Sequence, residues 1–263
     1  MELLRTLRAQ LINRVGSVPV VGPLLREYAR RFPEGSVVTI GSGFAAGLRW
    51  KRHHRYVNGY WIGNYEYPIQ QALARLLAPG DVFYDLGANA GFFSLLAAKL
   101  VGPTGQVYAF EPLPENIASV EDQIAENGFS HIELVRSAVG AAPGTAEFSF
   151  DPGSNSVAHL GSALHGKERT LKVDVTTLDL FVASHRAPTL LKIDVEGAET
   201  EVLAGASAVL EKRPKLLIEL HGRHKAEAVS AVLLERGYAL FKLDGSPALN
   251  PEGEGHIVAE PLR

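Results

Sequence analysis

From Asp81 onward, short apolar runs alternate with helical stretches, and this alternation limits the possible folds more than any other feature of the chain. Val82–Leu86 reads as a buried strand, Phe92–Val101 as a helix, Gln106–Glu111 as a strand, Pro114–Asn127 as a helix and Ile132–Val135 as a strand. After a polar, Gly/Ser-rich stretch with strand-like pieces at 145–150 and 169–175, the pattern resumes. Leu190–Asp194 is a strand, Glu199–Leu210 a helix, Lys215–Leu220 a strand and Lys225–Arg236 a helix, and Tyr238–Leu243 and His256–Glu260 close the chain as an antiparallel edge pair. Apolar runs too short for helices, joined by crossover helices, are what a parallel sheet covered on both faces requires. The expectation is an α/β fold: a Rossmann-like, doubly wound, mostly parallel seven-stranded sheet with helices on both faces, over residues 63–263.

Residues 1–62 read as a basic extension. Leu4, Leu7, Leu11 and Val15 recur at helical spacing beside arginines, and Pro19 and Pro23 end that stripe. A second stripe follows at Leu25, Tyr28 and Phe32. The Gly-punctuated stretch 36–50 alternates like a hairpin, and 69–77 reads as a helix. The 263 residues carry a formal net charge of −3, which conceals a split. Residues 1–60 hold ten Lys/Arg against three Asp/Glu, and the remainder sixteen against twenty-six. There is no cysteine, which excludes disulfides, thiolate metal sites and Cys nucleophiles, and makes the cytoplasm the default compartment. No stretch approaches the ~18 apolar residues of a membrane span, and arginines interrupt the N-terminus before a signal-peptide core could form.

The most informative segment is VFYDLGANAGFFSLLAA, in which a strand ends in Asp85, a turn carries Gly87 and Gly91, and a helix begins. In doubly wound sheets ligands sit at the carboxyl ends of the strands. A dinucleotide pyrophosphate needs a third glycine and the start of a helix, but here Phe92 and Phe93 fall near that position. An acid ahead of the turn repels phosphate and attracts a cation. The chemistry therefore favours S-adenosylmethionine, which carries a sulfonium and an α-amino group, over NAD. Glu111, at the end of the next strand, suits the two ribose hydroxyls of either cofactor. The plain alternatives are a helix N-cap for Asp85 and a solvated strand end for Glu111.

In order along the chain, WIGNYE, DLGANAGFFSLLAA, AFEPLPENIASVEDQIAENG, SAVG, TTLD, LLKIDVEGAETEVLAGA and IELHG resemble the FkbM family of methyltransferases. The resemblance implies a class I S-adenosylmethionine-dependent enzyme, commonly an O-methyltransferase of natural products or glycans, that leaves S-adenosylhomocysteine as product. It further implies that Asp85, Gly87, Asn89 and Gly91 line the methionine end, that Glu111 holds the ribose, and that Asn116 helps to place the following helix. Ser137 and Ala138 would lie near the adenine, Tyr65 and Glu66 would cap the cofactor or the acceptor, and Ala88, Phe92, Pro112 and Asp194 complete the set.

The chemistry of methyl transfer is expected at the next two strand ends. KIDVEGAE places Asp194 there with Glu196 and Glu199 just beyond, and IELHGRH places Glu219 and His221. An O-methyl transfer needs alignment and a proton acceptor. His221 is the natural base, oriented by Asp194 or Glu219, and Asp194 is the alternative base. Glu196 and Glu199 also suit the plain role of acids at a helix N-terminus, which is the preferred reading for Glu199. Asp194, Glu196, Glu219 and His221 are of the types that bind Mg²⁺ or Mn²⁺, but no compact ligand spacing is present and no metal is predicted.

His53 and His54 lie in a basic run with Arg49, Lys51, Arg52 and Arg55, interleaved with Trp50, Tyr56 and Tyr60. The preferred reading is a solvated face partly paired within the chain, and a lid over the cofactor cleft comes second. The acids expected at the strand ends make the acidic core a better partner for this run than nucleic acid. Peripheral membrane contact through the basic helices and a homodimer are further expectations. The loop 151–169, with His159 and His165, is expected to border the acceptor. An NAD-dependent oxidoreductase and a non-catalytic cofactor- or nucleic-acid-binding module are the competing readings.

Overall fold

The computed structural model describes residues 33–53, 59–150, 158–160, 169–249, 251–253 and 255–262. The basic helices expected before residue 33, His54, Arg55 and Tyr56, and the expected 151–169 loop, including His165 but apart from 158–160 and Arg169, lie outside them. An antiparallel hairpin, β1 (Val37–Thr39) and β2 (Arg49–Lys51), precedes helix α1 (Tyr67–Leu76). The alternation follows as read: β3 (Val82–Leu86), α2 (Phe92–Val101), β4 (Gln106–Phe110), α3 (Pro114–Asn127) and β5 (Ile132–Val135). Then come β6 (Ala138–Val139), β7 (Gly144–Phe150), β8 (Ala158–Leu160), β9 (Arg169–Thr176) and a short helix α4 (Leu178–Val182). The chain ends with β10 (Leu190–Ile193), α5 (Glu199–Ala204), α6 (Ser207–Glu211), β11 (Lys215–Glu219), α7 (Arg223–Glu235), β12 (Tyr238–Phe241) and β13 (His256–Pro261).

The central sheet has seven strands in the order β12-β13-β11-β10-β3-β4-β5. Only β13 runs against the direction of the other six strands. It inserts between β11 and β12, so the closing strands are not an edge pair and β12 alone forms the edge. Strand order reverses between β3 and β10, which places the switch point of the sheet at Asp85 and Asp194. The period-2 geometry of strands sorts the core into two layers. Phe83, Val107, Leu190 and Leu217 face one side with α1, α2 and the hairpin, while Tyr84, Phe110, Leu191 and Ile218 face the other with α4 to α7. A second sheet, β6-β9-β7-β8, gathers the polar middle of the chain.

The hairpin belongs to the first of these layers. Trp50 is 1% exposed and Ile40 also 1%. The free edge of β2 is closed by side chains of α3 where another strand would pair. Asn127 accepts from the Arg49 amide at 2.9 Å and donates to its carbonyl at 2.8 Å, and Gln123 treats Lys51 the same way at 2.9 and 2.7 Å. Around them Arg49 pairs with Glu126, Lys51 with Asp122, and His53 lies near Glu34 and Asp122. Exposed ion pairs contribute only ~0–1 kcal/mol each, so the amide bridges and buried Trp50 carry most of the attachment. Arg49, Lys51 and His53 of the basic run are thus paired with acids of their own chain, while the Arg52 guanidinium lies 4.8 Å from the centre of the Trp61 ring.

The expected helix 199–210 is two helices, broken at Gly205. A side chain at Gly205 would overlap the Gly140 carbonyl oxygen, so the chain crosses itself here without room for a Cβ. The crossing is pinned by Asp179, whose amide donates to the Gly205 carbonyl and whose carboxylate accepts from the Val209 amide at the start of α6. Gly205→Ala is expected to lower unfolding free energy by about 1–3 kcal/mol or more, as overpacking does. Urea denaturation checks this, and an unchanged midpoint would contradict the crossing.

Candidate active site

The site lies where the strands β3, β4, β10 and β11 end. Asp85 and Lys192 are register partners on adjacent strands and face the same side. Both are buried, at 0% and 2% exposure. Ser94 donates to Asp85 Oδ2 at 2.6 Å, and Lys192 Nζ stands 3.6 Å from Oδ1, which has no hydrogen-bond partner. Asp85 is therefore not a helix cap: α2 is capped by Gly91, in a left-handed conformation with no side-chain cap. Lys192 donates to Asp194 Oδ2 at 2.9 Å and lies 5.3 Å from the centre of the Phe93 ring. Burial pushes the Asp85 carboxyl up, with Lys192 opposing it. Burial works against the Lys192 ammonium, but Asp194 and Asp85 outweigh it and raise its pKa above the usual value. Asp194 is held below the ordinary range: burial would raise it, and the Lys192 charge and hydrogen bond prevail.

Gly87 needs to be glycine twice over. Its φ is +82°, and a Cβ would overlap the Asp194 carbonyl oxygen, so the loops after β3 and β10 touch backbone to backbone. Asn89 is also left-handed, and its amide donates to Glu111 Oε2 at 2.8 Å. Leu113 donates to Glu111 Oε1 at 2.9 Å. Glu111 is thus a buried, fixed acceptor and no solvated strand end. Burial pushes its carboxyl up to about 7 against these hydrogen bonds. Asn116 is a further hydrogen-bond partner of Glu111, so it acts on the acid as well as sitting in α3. Ser137 is buried just after β5 with an unpartnered Oγ, and Ala138 opens β6 of the second sheet. Ala88 is buried in the same turn, and Pro112 follows Glu111 before α3 begins.

The entry segment joins the site through an aromatic stack. Trp50 and Tyr60 centroids are 5.0 Å apart, Tyr60 and Tyr65 4.3 Å, and Tyr65 and Phe92 5.5 Å. Gln70 holds this segment by donating to the carbonyls of Gly63 and Tyr65. Glu66 is left-handed at φ 41°, and its Oε2 is buried without a hydrogen-bond partner. Burial pushes its carboxyl up, with Tyr65 and the Lys192 charge opposing. The first two residues of α2, Phe92 and Phe93, are buried in the core at 2% and 6% exposure, where the dinucleotide fingerprint would have its third glycine. Unpartnered buried oxygens at Asp85, Glu66 and Ser137, a glycine turn with no room for a side chain and a net excess of carboxylates fit a cationic methyl donor with an adenosyl end. They do not fit NAD.

His221 stands beyond this acid group. Its Nδ1–H donates to Glu199 Oε1 at 2.7 Å, leaving Nε2 3.3 Å from Glu196 and 3.7 Å from Glu219. The hydrogen bond to Glu199 raises His221 to about 9, with desolvation opposing and Glu196 adding. The acid that orients the ring is therefore Glu199, where the residue types alone suggested Asp194 or Glu219. Glu199 is wholly buried and also accepts from the Gly197 amide, so the plain role at a helix start and the contact with His221 coexist. Glu196 is left-handed, and burial pushes its carboxyl up to about 7. Asp194, Glu219 and His221 offer ligand atoms within 4.8 Å of one another, three of the four residues named from the sequence as possible metal ligands, and Glu196 is not in the group. Lys192 escaped the sequence reading altogether. Its one signal is a lysine inside a four-residue strand that is otherwise apolar.

The Methyltransferase FkbM domain model matches residues 85–240. The hexuronic acid methyltransferase AglP of Haloferax volcanii is 27% identical over 158 residues, which are 59% of this chain and 62% of that protein. The chain thus spans less than two thirds of that relative. The 31-O-demethyl-FK506 methyltransferase FkbM of Streptomyces tacrolimicus is 30% identical over 214 residues, covering 70% of this chain and 81% of that one. The solved methyltransferase FkbM of Methylobacillus flagellatus KT superposes with a TM-score of 0.49 at 16% identity, over 93% of this chain and 60% of that one. Among the described residues no helix is long and apolar enough to cross a membrane. By the domain match and the Streptomyces relative, this chain belongs to the FkbM family of methyltransferases.

Proposed function

We propose that the protein transfers a methyl group from S-adenosylmethionine to a hydroxyl of a small natural product or glycan, with His221 as general base. The observation that carries the proposal is the Glu199–His221 pair, set beside the acids that end β10 and β11. Two relatives act on hydroxylated molecules by name, a hexuronic acid and 31-O-demethyl-FK506, which supports the acceptor class. When bound, the cofactor supplies an electrophilic methyl on a sulfonium. Asp85, Glu66 and Asp194 hold its cationic end, Glu111 its ribose and Ser137 its adenine side. His221 Nε2 would take the proton of the acceptor hydroxyl as its oxygen accepts the methyl group, the S–C electron pair staying on the sulfur of the product. Glu199 keeps Nδ1 protonated and the ring aimed, and Glu196 and Glu219 flank Nε2.

Calorimetry with S-adenosylhomocysteine tests the cofactor, and absence of binding would end the proposal. His221→Ala is expected to lower kcat by about 10²–10⁴-fold while affinity for S-adenosylhomocysteine persists, since a general base is worth that much. An unchanged kcat would refute the assignment. The base works only when neutral, so kcat/KM should rise with pH through a midpoint near 9 and level off above it. Glu199→Gln removes the largest cause of that shift, so its plateau should begin at lower pH, nearer the ordinary histidine value. The same raised pKa has a stability consequence. The His221 contribution is complete below about 6.5 and lost as pH rises through about 9, so thermal stability should fall across that window less in His221→Ala than in the parent.

The transfer is proposed to need no metal. Asp194 already carries the Lys192 ammonium on Oδ2, whose positive charge opposes a divalent cation at the same carboxylate. Treatment with EDTA should leave the rate unchanged, and a loss restored by Mg²⁺ would show the acid group to be a metal site.

A further inference from the structure

A cleft of about 740 Å³ lies between α1, the turn after β12 and the start of β13. Its volume falls in the ~300–1,000 Å³ range of small-ligand sites. It adjoins the base through the sheet register. Glu219 at the end of β11 pairs with His256 at the start of β13. His256 lines the cleft, and its Nε2 is 3.3 Å from Glu219 Oε2, while Glu219 Oε1 is 3.7 Å from His221 Nε2. A molecule held in the cleft is therefore two side chains from the atom proposed to take its proton.

We propose that this cleft binds a sugar ring of the acceptor, so that the hydroxyl methylated by this site belongs to a glycosyl group. The inference rests on the methyltransferase reading and deepens it. A pyranose presents an apolar face of C–H bonds and a rim of hydroxyls that both donate and accept. It calls for an aromatic ring on one side and charged groups of both signs around the edge. The cleft offers Phe44 as the ring, Gln71, Arg75 and Lys242 as donors, and Asp244 as an acceptor. The wall is held in shape from both sides. Arg75 reaches from α1 to the Leu243 carbonyl and Glu260, and Asp244 spends only Oδ1 on the Ser246 amide and hydroxyl. Phe44 is kept in place through its backbone, whose amide donates to Gln70 and whose carbonyl accepts from Lys99.

The test is saturation-transfer NMR on the full chain with S-adenosylhomocysteine, using methyl β-D-glucuronide and methyl β-D-glucoside as probes. Saturation of the ring protons of either probe, falling to background in Phe44→Ala and in the exposed-turn variant Lys242→Ala/Asp244→Asn, is the expected result. The turn variant guards against Phe44→Ala acting by unfolding the hairpin. No saturation in the parent, or saturation unchanged in the turn variant, overturns the inference. Calorimetry with S-adenosylhomocysteine runs beside it. Cofactor binding without sugar binding defeats only the cleft, whereas loss of cofactor binding defeats the methyltransferase reading itself.

Discussion

The buried ammonium of Lys192 holds the ends of β3 and β10 in one electrostatic arrangement. It sits opposite Asp85 in register, bonds Asp194 two residues along its own chain, and rests over Phe93. An unpaired charge so deeply buried would be driven to neutrality. Two carboxylates keep this one charged, and it in turn keeps Asp194 ionised. Breaking such a set by removing one partner costs about 3–5 kcal/mol, which explains why a lysine occupies a position where the pattern calls for valine or leucine. The balance still leaves more acids than cations. Asp85 Oδ1 and Glu66 Oε2 remain unpartnered, and that deficit of positive charge is what a sulfonium cofactor would complete.

Most of the sheet could be read from the chain because its strands are buried on both faces and so are continuously apolar, bounded by glycines and acids. Asp85 and Glu111 were legible for the same reason: an acid at the end of such a run has few structural duties. What escaped reading depends on contacts between distant segments. Lys192 looked like a lapse in an apolar strand, since its partner Asp85 is over a hundred positions away. Glu199 suited the start of α5, and nothing local announced His221. The break at Gly205 follows from the Gly140 backbone crossing there, while the run 199–210 keeps helical periodicity with Gly205 as its one local weak point. Gln123 and Asn127 read as polar residues on the open face of a helix, yet they close the edge of a strand.

Strain marks the same place as charge. Four non-glycine residues with positive φ occur among the described residues, and Glu66, Asn89 and Glu196 are three of them. Each sits in a different loop at the carboxyl end of the sheet. Such residues cost about 1–3 kcal/mol and persist only where the surroundings over-determine them. The surroundings here are identifiable. Gln70 fixes the loop before Glu66, Glu111 fixes Asn89, and Gly197 with Glu199 fixes the turn at Glu196. The hairpin contributes through Trp50 and Tyr60, which support Tyr65. Residues outside the matched family segment therefore help to hold the loop that carries Glu66.

The acids divide into two groups, and the division bears on how a base raised to about 9 can work. Near Lys192 the carboxylates are offset by a buried cation. Around His221 no lysine or arginine plays that part among the described residues, and the hydrogen bond to Glu199, with Glu196 and Glu219 adding, holds the imidazolium proton firmly. A base of high pKa takes a proton well but is seldom free near neutral pH, and the ideal lies close to the working pH. Positive charge entering the acid group weakens the hold of Glu196 and Glu219 on the imidazolium and shifts His221 toward its neutral form. The proposed methyl donor carries such a charge. Under the proposed function, His221, over-stabilised as a cation in the free protein, would be freed as a base when the donor binds, and the carboxylates that attract the donor would also time the proton transfer.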